Sequence, residues 1–159
     1  MLFRSNTSDV LTAVTTGTSI TASYNTATGV LTLSGTDSKA NYQTVLQSVK
    51  YSSTSDDPTA TSATRAISWK VVDANSDGAG AATGTGSTTL TVTAVNDAPS
   101  LSAAATAAYT ENAAAAALSS GFTLTDVDDV SVASATVSIG AGLSNTSDVL
   151  TAVTTGTSI

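Results

Sequence analysis

The chain has 159 residues, a formal net charge of −7 and a pI near 4.1, and it holds no Cys and no His. Without His or Cys, neither triad chemistry nor a zinc site is available. With only five Lys and Arg, no basic patch exists for a phosphate backbone, so nucleic acid is excluded as a partner. An acidic chain of this kind suits divalent cations instead.

Small and β-branched residues dominate, which favours pleated surfaces, and the 41% apolar content argues against disorder. The opening MLFRSNTSDV lacks the apolar stretch of a signal peptide, and the run 113–117 is too short to span a membrane. Ile20 to Tyr24 alternates apolar and polar, as does Leu31 to Ser34. The turn-rich Asn25 to Gly29 between them predicts a β-hairpin. From Ser38 to Val49 the period changes. Tyr42, Val45, Leu46 and Val49 recur at three- and four-residue spacing, behind Asp37 or Ser38 as a cap, and predict one or two helical turns. Ile67, Trp69 and Val71 alternate with Ser68 and Lys70, predicting a strand with Trp69 buried.

Residues 73–86 read as a Gly- and Asp-rich loop, and Thr88 to Val95 as a strand that Asn96 to Pro99 stops, because Pro cannot donate to a ladder. Beyond it, Ser100 to Asn112 reads as a strand with an irregular end, and Ala113 to Leu118 as a helical turn or extended chain. Phe122 to Leu124 and Ala135 to Ile139 read as strands. Many short strands separated by turn signals predict an all-β sandwich.

Residues Ser5 to Ile20 and Ser144 to Ile159 are the same sixteen letters, SNTSDVLTAVTTGTSI, offset by 144 − 5 = 139 residues. Identity over that length marks a tandem repeat, and repeat modules contact mainly their neighbours. The sequence therefore divides into 1–95, the back of one module, a linker 96–100, and 101–159, the front of the next. Five residues reach at most about 17 Å, less than the strand length that separates the poles of a sandwich. The two parts are thus not expected to close on each other. Ile159 falls inside a strand whose hairpin partner, Val30 to Ser34, lies only in the upstream part. Identical chains are expected to complete one another head-to-tail and so to build a filament.

The stretch Val95 to Pro99 resembles the linker of cadherin-like repeats. Tyr109 to Asn112 and Thr125 to Asp128 look like the short Glu motif and the Asp-x-Asp motif of those domains. Asn41 to Tyr51 with Arg65 to Asp73 resembles the second half of the cadherin-like repeats of giant bacterial surface adhesins. The resemblance implies an antiparallel, Ig-like/cadherin-like β-sandwich displayed outside the cell, with Ca2+ at the junctions between repeats. Two departures, Ala94 in place of an Asp and a missing Leu-Asp-Arg-Glu motif, point to one or two ions rather than three.

The residue chemistry supports the same ion. Calcium takes six to eight hard oxygens. Glu111, Asp126 and Asp128 with Asn96 and Asp97 offer such oxygens around the linker, and Asp73, Asn75 and Asp77 alternate through the Gly-rich loop. The loop set also fits plain turn chemistry. The expected function is that of a structural extender of an adhesin or surface fibre, not an enzyme. A module whose loops bind a glycan or a protein is the alternative.

Overall fold

The computed structural model describes residues 8–144 and 147–159. The first residues of the repeated run, Ser5 to Thr7, and Asn145 with Thr146 of its second occurrence lie outside them. Among the described residues, eight strands pair into four two-stranded antiparallel sheets beside one helix, so the class is all-β with one short helix. None of the described helical residues forms a helix long and apolar enough to cross a membrane. The chain divides into Met1–Asp128 and Asp129–Ile159.

In the first unit, β1 (Asp9–Thr12) pairs with β4 (Lys50–Ser53), setting Leu11 opposite Tyr51. The hairpin of β2 (Thr21–Asn25) and β3 (Val30–Ser34) forms as its alternation requires. Its turn is made by Asn25, whose side-chain oxygen accepts the Ala27 and Thr28 N–H groups at 2.9 and 3.2 Å. Gly29 closes the turn at φ 69°, where a Cβ would be strained. Helix α1 (Lys39–Gln47) follows, capped by the Ser38 hydroxyl, which accepts the Asn41 N–H at 3.1 Å. Asp37 supports the cap by accepting from Ser19, Ser38 and Asn41.

The long strand β5 (Thr64–Val72) pairs with β6 (Thr83–Thr91). The intervening loop is shorter than the 73–86 expected, because Thr83 to Gly86 join the ladder. Gly86 stands opposite Trp69, and a Cβ there would sit 3.8 Å from the Trp69 Cβ. Trp69 is half-buried, not fully buried, with its indole N–H donating to the Thr88 hydroxyl at 2.9 Å. The last sheet of this unit joins β7 (Ser100–Ser102) to β8 (Thr123–Thr125). Only the first three residues of the predicted 100–112 strand find a partner. The run 113–117 forms no helix, as expected of so short an Ala segment without tertiary support.

Among the described residues the buried apolar side chains are Ile20 and Val45. The apolar side chains Leu11, Leu31, Leu33, Ile67 and Trp69 of the first unit's strands are half-buried.

The described residues of the unit Asp129–Ile159 form turns but none of the strands. Ala135 to Ile139, expected as a strand, has strand pattern but no ladder. A strand is a pairing and not a local conformation, so pattern alone does not produce one.

Candidate metal centre

The linker meets an acidic turn. The Asp97 N–H donates to Asp128 Oδ2 at 2.9 Å, and the Asp128 N–H donates to Asp126 Oδ1 at 3.3 Å. Asn96 is exposed, its amide donating to the Asp97 carbonyl at 2.9 Å. Asp126, Asp128 and Asp129 each offer a carboxylate oxygen within 4.8 Å of the others. Asp126 and Asp128 are half-buried and Asp129 is exposed. Asp128 Oδ1 is shielded from solvent and has no hydrogen-bond partner.

The electrostatics follow from this crowding. The Asp97 N–H pulls the Asp128 carboxyl down. Its hydrogen bond with Asp126, partial burial and the Asp126 charge together outweigh that pull and leave it above the ordinary 3.8. Two carboxylates in one turn, one with an orphaned oxygen, make a donor set of the hard-oxygen type that calcium takes. Three carboxylates fall short of six ligands unless they bind bidentately, so water or further protein oxygens would complete the shell.

The other residues predicted as ligands fall elsewhere. Glu111 lies exposed in the turn that ends at Asn112 (φ 61°), outside the carboxylate group. In the Gly-rich loop one side-chain oxygen of each residue faces its own backbone. Asp73 Oδ1 accepts from Asn75 and Ala82, Asn75 Oδ1 from Gly80, and Asp77 Oδ1 from Ala79. Asn75 takes the left-handed region at φ 49°. These bonds fix a turn, and the structure does not bring this set to the linker.

A second polar cluster carries no sequence signal of its own. Arg65 Nε donates to Asp9 Oδ2 at 2.6 Å, and the Tyr51 hydroxyl donates to Asp9 Oδ1 at 2.7 Å. The Tyr24 hydroxyl donates to the Asp9 carbonyl at 2.7 Å. Arg65 also donates to the Pro58 and Ser62 carbonyls, both at 2.6 Å. Burial pushes the Asp9 carboxyl up, but Arg65, Tyr51 and Ser53 outweigh it and hold it below 3.8. Both Asp9 carboxylate oxygens are answered, one by Arg65 and one by Tyr51. It is a clamp joining β1, β2, β4 and β5. Only the separations of 42 and 56 residues between Asp9 and its partners hid it.

No family model, curated protein or solved structure matches the chain.

Proposed function

We propose that the chain is a structural extender repeat of a large extracellular adhesin or surface fibre, an Ig-like sandwich module in its assembled array. Calcium at the linker stiffens it. The observation that carries this reading is the contact between the linker and the acidic turn. The Asp97 backbone is tied to Asp128, and Asp128 sits against Asp126 with one oxygen unanswered. Like charges held this close repel unless a cation joins them. An ion bound there would fix the linker to the turn from Asp126 onward and so resist bending between modules. The 139-residue repeat and the absence of His and Cys support a mechanical role over a catalytic one.

The test is calorimetric titration of calcium into the 159-residue chain, with melting curves in calcium and in chelator. Ligand at about 100 times its Kd stabilises the native state by about 2.7 kcal/mol. A rise in Tm with calcium, abolished by Asp126→Asn with Asp128→Asn, is expected. Superimposable curves and no heat of binding would remove calcium from the proposal.

A further inference from the structure

A groove of about 880 Å³ opens within the first unit. One wall is β3, the other is β5, and Tyr42 and Leu46 of α1 contribute to the lining. Leu31 and Leu33 come from the first wall and Ile67 and Trp69 from the second.

Both walls are strand edges. β3 uses one edge to pair with β2, and β5 uses one edge to pair with β6. Among the described residues, neither makes a backbone hydrogen bond from its other edge. No Cα of β3 comes within 8 Å of a Cα of β5. Paired strands lie about 4.8 Å apart, so the two edges are unpaired across the groove. Two open edges with apolar side chains between them call for an extended backbone, since only a strand answers N–H and C=O groups on both sides.

The same chain carries a segment with the pattern of a strand and no ladder. In Ala133 to Ile139, the residues Ala133, Ala135, Val137 and Ile139 alternate with Ser134, Thr136 and Ser138. None of these seven residues makes a backbone hydrogen bond, and Val137 is 72% exposed. The repeat links this segment to the groove. Ile139 stands five residues before Ser144, where the sixteen-residue run begins again (144 − 139 = 5). The first occurrence of that run supplies β1 of the grooved unit. A repeat therefore sets the Ala133–Ile139 segment next in sequence to a module of the grooved kind.

We propose that the groove between β3 and β5 accepts Ala133 to Ile139 of a second copy of this chain as an added strand. The apolar set faces Tyr42 and Leu46, and the Ser and Thr set faces outward. Donor and acceptor are different surfaces, so each chain offers one of each and the contact propagates. The inference rests on the reading of the chain as a repeat that stacks on its own kind, but not on calcium.

The test is run in chelator, so that loss of the calcium site cannot imitate its failure. Trp69 is the only tryptophan and lines the groove. The wild-type chain is expected to gain mass in sedimentation up to about 100 μM, with a blue shift of Trp69 emission. Val137→Asp removes the donor and Leu33→Asp removes the acceptor. Each alone should stay monomeric, and their mixture should form a 1:1 pair through the one intact donor and the one intact groove. Should Leu33→Asp fail to fold, a synthetic peptide of residues 131–140 titrated into the Val137→Asp chain reads the same groove. A saturable blue shift is expected, at least about tenfold weaker for the peptide carrying Asp at 137. A wild-type chain that remains monomeric with an unchanged Trp69 spectrum would overturn the proposal. So would a Val137→Asp chain that associates like wild type, or a peptide that leaves Trp69 unmoved.

Discussion

Replacing Arg65 by Ala should destabilise the first unit by about 2–3 kcal/mol, more than any ordinary surface change. Three short donations are lost together, to Asp9, Pro58 and Ser62, each at 2.6 Å. The Asp9 carboxylate keeps only Tyr51 and its β4 neighbour. A fully buried pair broken on one side costs about 3–5 kcal/mol, and the 17% and 13% exposure of the two side chains lowers the figure here. Lys at this position would carry the charge without the planar fork. It can answer Asp9 or the carbonyls but not all three, so Arg65→Lys should recover less than about half of the loss. The assay is urea denaturation of the 159-residue chain followed by circular dichroism. A double-mutant cycle with Asp9→Asn isolates the pair, with an expected coupling of about 1 kcal/mol or more. Single-mutant losses that simply add would refute the view that this clamp joins β1 to β5.

Two further outcomes follow. Gly35 has φ 124°, and a Cβ there would press into the Ser19 carbonyl, so Gly35→Ala should lower the urea midpoint by the equivalent of about 2 kcal/mol or more; a neutral result would mean the β2–β3 exit is misplaced. Asp9 and Asp37 both have depressed carboxyl pKa values, so their contribution is complete above 3.8 and is lost as pH falls through the lower folded values. Asp128, being raised, works the opposite way: its contribution is present below 3.8 and fades as pH rises through its folded value. Urea midpoints between about pH 5 and pH 2.5 should therefore fall on acidification, and Asp9→Asn should flatten that fall.

Local signals were legible and long-range ones were not. Asn25 and Gly29 dictate their turn through bonds made within four residues, and Ser38 caps a helix whose 3.6-residue period is visible in Tyr42, Val45, Leu46 and Val49. The acidic turn at Asp126 and Asp128 was readable for the same reason, since its members are two residues apart. The link from Asp97 to Asp128 spans 31 residues and was anticipated only as a grouping around the linker. The Asp9 clamp was invisible because nothing near Asp9 distinguishes it from any turn aspartate. Trp69 was expected to be buried from alternation alone. Alternation fixes which face a side chain takes, whereas burial also needs something to cover that face, and beside Trp69 lies an open groove. Asp73, Asn75 and Asp77 have spacing that suits a cation and a turn equally, and here one oxygen of each accepts from the backbone of Asn75, Gly80, Ala79 or Ala82.

The sixteen-residue run serves as an internal control on this distinction. In both occurrences the Thr-Thr-Gly-Thr turn is the same. The Thr18 N–H meets the Thr15 carbonyl and the Thr157 N–H meets the Thr154 carbonyl, both at 3.1 Å, with Gly17 at φ 81° and Gly156 at φ 85°. The strand ahead of that turn differs. Asp9 to Thr12 pair with β4, whereas the identical residues 148–151 form no ladder, and Asp148 instead accepts the Ser144 N–H at 2.8 Å. Sequence is constant across the pair, so the difference belongs to what each copy packs against. A turn closes its own hydrogen bonds and needs no partner, while a strand leaves half of its backbone groups for another strand to answer. By the same physics, Ala133 to Ile139 carries the pattern of a strand without the pairing of one, and what it lacks is an edge of the kind that β3 and β5 leave open.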